Sequence, residues 1–436
     1  MKRYYIIPFT ILITFFLSSC AGHTSRIQYE DKYIPDQDSQ QYSFDFGASG
    51  GIAETQEGYY FLSGPGNRFL YFYDKKNNTS VQVCAKPNCL HDNEPDSMKI
   101  ASCNAFLGVS VSNLIYYNKS LYYITEDTGP DEMSYELWRM SLQGTEKRRI
   151  HEFKEIPLEL RIHRGYVYYL TNDGGTIPGK EDTTKSKYTL SRFSLEKSGD
   201  EVEVIHEGEG IYGKTAGLLC YGNNVFYSVF NYLDATLQSF TENSYRYDIV
   251  DEKEQVIIEE EGSGAWTIFD GKLVYTKNTG IFACNFDGSD IHKVADEYGQ
   301  LSSNDDYLFI DNWWDLDVLD GIKDRTVTVL DKSYKVVKTI SLKGVRPQAY
   351  GCSNEYYFVQ DVGEPSAIIG KMQGKVYEIS ATIHELPKLQ KLYRIRNLVK
   401  YGDTIVAQIV TDVPPRGNVR EIHPSLEDAY LYFSGE

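Results

Sequence analysis

The sequence is poor in what would mark most functional classes. Basic residues are outnumbered, 44 Lys and Arg against 62 Asp and Glu for a net charge of −18, so nothing neutralises a phosphate backbone and a nucleic-acid partner is excluded. Cysteine is sparse at 7 in 436 residues, so disulfides cannot stand in for a core. Helical periodicity is hard to find after residue 42, which removes bundles and wound α/β folds. No H-E-x-x-H, no G-x-S-x-G and no recurring carboxylate pair is present, and picking two of 62 acidic residues as an acid and a base would be arbitrary, so a non-catalytic protein is expected. The apolar run Tyr4 to Leu17 is shorter than the roughly 20 residues a helix needs to cross a bilayer.

What is there begins at the N-terminus. Lys2 and Arg3 precede that apolar run, which has the plan of an export signal. The ending Leu17-Ser18-Ser19-Cys20 resembles the bacterial lipobox. The resemblance implies a signal peptide over 1–19, cleavage before Cys20 and a diacylglyceryl group on its thiol. It places the protein on the outer face of the cytoplasmic membrane, where two acyl chains anchor stably. Residues 20–41 are polar and aperiodic and read as a flexible tether, leaving 42–436 as one domain.

Strand formers dominate that domain, with 36 Tyr and 20 Phe. A phrase of polar turn, alternating aromatic strand and second strand recurs near residues 57, 118, 164, 222, 270, 305, 354 and 402. Its spacing of roughly 35 to 60 residues suits a four-stranded propeller blade with variable loops. The expected fold is all-β, a β-propeller of seven or eight four-stranded blades. Doubled aromatics such as Tyr59-Tyr60, Tyr116-Tyr117, Tyr168-Tyr169 and Tyr356-Tyr357 fit strands sandwiched between neighbouring blades, and YSFDF at 42–46 is expected to latch the ring. The unit DGKLVYT…IFACNFDGSDIHKV from residue 270 is similar to the blade of low-density-lipoprotein-receptor-like propellers in exported lipoproteins of Gram-positive anaerobes. That resemblance implies fold and location. The repeated Tyr-Trp-Thr-Asp tetrad is missing, so the receptor's ligands do not carry over.

Three stretches bear on chemistry. GEGIYGKT at 208–215 matches the phosphate-loop pattern, but Gly217, Gly222 and two Asn follow and then a strand pattern, so no helix can receive a phosphate and no nucleotide is expected. In VCAKPNCLHDNEPDSMKIASC, Cys84, Cys89, His91 and Cys103 read first as a disulfide between two of the thiols outside the cell, with a structural Cys3His zinc site, for which they are the ligand types, as the alternative. The C-x-K-P-x-C-x-H string resembles one in the same lipoprotein group. No cofactor is required by the sequence. Cys220, Cys284 and Cys352 read as core residues. Trp313 and Trp314 read as blade-to-blade packing, with a stacking platform for a sugar as the alternative, and Asp315, Asp317 and Asp320 read as a solvated acidic turn rather than a calcium loop. The functional expectation is a lipid-anchored propeller that holds an envelope protein or peptide, with a glycan-binding or glycan-processing propeller as the alternative.

Overall fold

The computed structural model describes residues 31–40, 52–63, 67–77, 79–91, 94–128, 133–172, 185–196, 201–233, 240–260, 263–312, 315–319, 322–342, 347–352, 357–361, 372–415 and 417–424. The first sheet holds β1 (Ile52–Glu54), β2 (Gly58–Ser63), β3 (Arg68–Asp74), β4 (Thr79–Gln82) and β5 (Phe106–Gly108). Five sheets of one plan follow, each with four antiparallel strands in chain order. The first of these is β6 (Val111–Tyr117), β7 (Ser120–Thr128), β8 (Met133–Ser141) and β9 (Arg148–Phe153). Next come β10 (Pro157–His163), β11 (Tyr166–Asn172), β12 (Lys185–Ser194) and β13 (Glu203–Ile211), then β14 (Lys214–Tyr221), β15 (Asn224–Tyr232), β16 (Phe240–Asp248) and β17 (Lys253–Glu260). The fifth sheet is β18 (Ser263–Phe269), β19 (Lys272–Lys277), β20 (Gly280–Cys284) and β21 (His292–Ala295). The sixth is β22 (Gln300–Ser303), β23 (Leu308–Asp311), β24 (Thr326–Leu330) and β25 (Val336–Ser341).

The seventh sheet shows two strands among the described residues, β26 (Pro347–Cys352) and β27 (Tyr357–Asp361). The eighth departs from the plan. Its strands are β28 (Val376–Thr382), β29 (Arg394–Tyr401), β30 (Thr404–Val410) and β31 (Val419–Glu421), but its spatial order is β29-β30-β28-β31. The crossover after β28 is a 3-10 turn, Ile383–Glu385, closed by a Thr382–Glu385 capping box, and a helix at Leu386–Leu392 with Pro near its start.

The sheets stack face to face as propeller blades, with β1, β6, β10, β14, β18, β22 and β26 side by side in that order. Packing explains the doubled aromatics. Tyr123 lies in the apolar layer between blades 1 and 2 while Tyr122 lies between blades 2 and 3. Tyr169 lies between blades 2 and 3 and Tyr168 between 3 and 4, so a period of two puts neighbouring side chains into different cores. Blades 4 and 5 share Phe226, Trp266 and Tyr275, and blades 5 and 6 share Val274, Leu301 and Ile310. Each fully buried apolar side chain contributes about 1.5–3 kcal/mol, which is why strands such as β7 and β11 carry apolar residues on both faces. Register between blades is pinned where the first strand bulges: at the β14 irregularity the N–H groups of Gly217 and Leu218 donate to the Glu159 carboxylate of the preceding blade, each at 2.8 Å.

The two ends of the ring differ. One carries the turns after the first and third strands, and most of these are tight, the eight-residue connection from β12 to β13 being the exception. Asn118-Lys119, Arg164-Gly165 and Asp270-Gly271 are two-residue hairpins with positive φ at both positions. The third-strand turns repeat as Ser141–Thr145, Asn285–Ser289 and Asp331–Lys335, each closed between its first N–H and fifth carbonyl, with Gly144, Gly288 and Tyr334 left-handed. The opposite end carries the connections after the second strands, including sequence stretches 173–184 and 312–325. The expected latch at 42–46 lies outside the described residues.

Residues 31–40, inside the stretch expected to be a flexible tether, pack across the tight-turn end. Asp31 accepts from the Asn223 N–H at 2.9 Å and the Asn224 side chain at 3.0 Å, on blade 4. Asp36 accepts from the Tyr116 hydroxyl of blade 2 at 2.8 Å, and the Gln40 side chain donates to the Glu54 carbonyl of blade 1 at 2.6 Å. Between them Asp38 is buried against Arg164, whose Nε lies 2.8 Å from Oδ1. The Ser39 N–H donates to His163 Nδ1 at 3.1 Å, which leaves Nε2 to donate to the Gly222 carbonyl at 2.8 Å. Burial pulls the His163 pKa down to about 4, the Asp38 carboxylate opposing, so this imidazole stays neutral. A polar sequence looks like linker until its carboxylates find buried partners from other blades.

Candidate metal centre

The fourth strand of blade 1 is split. β4 pairs only with Tyr71–Asp74, and β5 covers Arg68 and Phe69, so residues 83–105 leave the sheet and return to it. Both ends of the excursion are tied to one residue: Val83 N–H donates to the Leu70 carbonyl at 2.9 Å, and Leu70 N–H donates to the Ala105 carbonyl at 2.7 Å. The backbone is left-handed at Asn88 (φ 60°) and His91 (φ 54°), which folds Cys84, Cys89 and His91 to one side. A short helix at Ser97–Ser102, capped by the Asp96 carboxylate on the Met98 N–H, then delivers Cys103 as its C-cap.

The result is a four-residue cluster. The ligand atoms of Cys84, Cys89, His91 and Cys103 all lie within 4.8 Å of one another, and His91 Nδ1 is 3.4 Å from Cys103 Sγ. All three thiols are free. A tetrahedral zinc with ligands at about 2.3 Å (S) and 2.0 Å (N) sets neighbouring donors roughly 3.5–3.8 Å apart, so three sulfurs and one nitrogen at this spacing fit that ion. A disulfide needs two sulfurs at about 2.05 Å and gives the third thiol and the imidazole nothing to do. Phe69, Tyr71, Ala105, Ile100 and Phe106 surround the cluster with apolar surface.

The electrostatics are lopsided. Burial pushes the Cys103 thiol up to about 12. At Cys84 burial acts the same way, but the N–H groups of Lys86 and Asn104 outweigh it and the thiol sits below its usual value. Two lysines flank the group: Lys86 donates to the Ser102 carbonyl, and Lys147 of blade 2 donates to the Phe106 carbonyl at 2.7 Å. Burial brings Lys147 down to about 8, the cysteines opposing. Three thiolates around a divalent cation would carry one net negative charge, which a nearby lysine would offset. Blade 2 closes against the same segment at Gly144, where a Cβ would stand 2.8 Å from the Val83 carbonyl oxygen.

The remaining residues singled out in the sequence go elsewhere. Cys220 and Cys284 are buried between blades, and burial raises both thiols. Cys352 lies in β26. Cys20, Trp313, Trp314 and Asp320 lie outside the described residues. Asp315 accepts from the Asp317 N–H at 3.0 Å and pairs with Lys323 at 2.9 Å, a turn-closing role. GEGIYGKT runs from β13 through a turn at Tyr212-Gly213 into β14, with no helix. Its glycines are needed for close approach, since a Cβ on Gly210 would meet the Asn231 side chain at 1.7 Å. Sequence reading missed Lys147 and the Asp38, His163, Arg164 group, because each is assembled across blades. The only trace was a run of carboxylates and amides, PDQDSQQ, at the end of the presumed tether.

No family model matches the chain, and no curated protein matches it. Solved structures share propeller-like architecture at low identity. The propeller in a nidogen/laminin complex is 10% identical over 64% of this chain and 91% of that one, with a TM-score of 0.37. The Pyrococcus horikoshii acylaminoacyl peptidase is 10% identical over 82% of this chain, which spans 57% of that enzyme's length, with a TM-score of 0.44. The β-propeller domain of the trilobed protease from Pyrococcus furiosus is 13% identical over 68% of this chain and 98% of that one, with a TM-score of 0.30. The chain is a β-propeller on the evidence of its own blades; none of these likenesses carries an activity to it.

Proposed function

We propose that this protein is a lipid-anchored, extracytoplasmic, non-catalytic propeller that holds an envelope protein or peptide, and that Cys84, Cys89, His91 and Cys103 carry a structural zinc. The observation that carries the binding reading is the asymmetry of the ring. In the first six blades one end is built of connections of two to eight residues, several fixed by left-handed backbone, and the other bears connections that vary from two residues after β19 to fourteen after β23. Rigid blades with variable loops at one end are the arrangement in which a scaffold presents a binding surface. Two buried arginines are engaged within the fold, Arg325 with Asp311 at 2.7 Å and Arg192 with Glu203 at 2.8 Å, and serve architecture.

The zinc closes the interrupted fourth strand of blade 1. With four protein ligands it has no open position, so it acts as a staple. Cys20 supplies the membrane attachment through its diacylglyceryl group.

The test is photo-crosslinking in intact cells from single positions at each end of the ring. A discrete polypeptide adduct from Asn278, at the loop end, with none from Lys332, at the turn end, is the expected result. Adducts to glycan strands alone would replace the protein-holding reading with the glycan one.

A further inference from the structure

The segment Asp31–Gln40 fixes which way the ring faces. We infer that the tight-turn end of the propeller is held against the bilayer and the loop end is presented away from it, a reading that rests on the lipid anchor at Cys20. Three observations lead there. The segment is attached along its length, to blade 4 through Asp31, blade 2 through Asp36, blade 3 through Asp38 and Ser39, and blade 1 through Gln40. Its central contacts are buried, with Asp38 and Arg164 side chains at 0% and 1% exposure, so it is part of the fold. Asp31, the first described residue, sits at the tight-turn end, beside the β14–β15 hairpin.

Chain length does the rest. Cys20 and Asp31 are eleven residues apart, a reach of at most about 38 Å at roughly 3.5 Å per residue. To bring the anchor round the outside of blade 4 to the loop end, the chain would have to clear three strand spacings of about 4.8 Å and then the nine residues of β15 at about 3.4 Å each, about 45 Å in all. Round blade 4, to which Asp31 is bound, the anchor therefore falls short of the loop end, and the short path sets the acyl chains on the tight-turn side. The described turns there that are closed by their own hydrogen bonds suit a face pressed towards headgroups.

The experiment uses the full lipidated chain in liposomes whose outer leaflet carries an acceptor lipid. A donor fluorophore is placed by encoded amino acid at Gln143 or Lys332, both exposed in third-strand turns, or at Asn278, exposed at the loop end. Expected is roughly twofold or greater energy transfer from Gln143 and Lys332 than from Asn278, since a six-residue strand separates the two ends by about 20 Å. Equal transfer from all three, or more from Asn278, overturns the orientation while leaving the anchor intact. Flotation of the same samples reads the anchor separately: protein that does not float with the liposomes overturns the anchor and the orientation with it.

Discussion

Removing the proposed zinc is the sharpest perturbation of the Cys84, Cys89, His91 and Cys103 cluster. The segment it closes has little else to hold it: the helix at Ser97–Ser102 has no buried residue, and of the surrounding apolar cluster only Phe69, Cys103 and Ala105 are buried. A cross-link between Cys84 and Cys103 closes a loop of about 20 residues, which restricts the unfolded chain by about 3 kcal/mol. For a domain of about 390 residues, with an unfolding entropy near 2.1 cal/mol/K per residue, that loss corresponds to about 4 °C in melting temperature. Chelation should therefore lower the melting temperature by a few degrees, raise hydrogen exchange across 83–105 and leave the other blades protected. Elemental analysis should find about one zinc per chain, and His91→Ala should abolish it. A disulfide would close a similar loop, so the reagents must separate the two. Protein that contains no metal, resists chelator and loses the same few degrees only to reductant would refute the zinc site.

Acid should weaken the strap. His163 is neutral in the fold, with its pKa at about 4 against about 6.5 in the unfolded chain, so stability is full above about 6.5 and falls as pH drops towards 4, while the unfolded chain takes up a proton the folded one refuses. The loss from this residue amounts to about 3 kcal/mol, and the difference in urea midpoint between wild type and His163→Gln should shrink across that window; a constant difference would sink the assignment. Asp311→Ala should cost about 3–5 kcal/mol by leaving the Arg325 guanidinium buried without its bidentate partner, read by thermal or denaturant unfolding. Gly288→Ala should cost more than about 1 kcal/mol, because the position is left-handed (φ 80°) and a Cβ would stand 2.3 Å from the Ile257 carbonyl oxygen; a neutral result would mean the turn is looser than its hydrogen bonds require. Lys214→Ala should change stability by less than about 0.5 kcal/mol, and added nucleotide should not shift the melting of the wild type.

Much of the fold was readable because propeller strands are local. The Tyr122-Tyr123 and Tyr168-Tyr169 pairs announce strands buried on both faces, and Asp287-Gly288 announces its turn. Tyr334 shows the limit: it occupies the same left-handed position as Gly288 in a turn with the same hydrogen bonds, yet no residue type there advertises it. The order β29-β30-β28-β31 was unreadable for a related reason, since strand pattern says nothing about which neighbour a strand will choose.

The sequence by itself determined the strands, the hairpins and the ligand types at 84, 89, 91 and 103, because these depend on side-chain alternation, turn chemistry and donor chemistry within about twenty residues of chain. Tertiary structure decided the rest. Only the folded backbone brings three thiols and an imidazole within 4.8 Å, sets Lys147 of the next blade beside them, and turns PDQDSQ from an apparent linker into a strap whose Asp38 and Ser39 are buried. Those outcomes depend on groups far apart in the chain, Asp38 and Arg164 by 126 positions, and a buried charge declares itself only when its partner arrives.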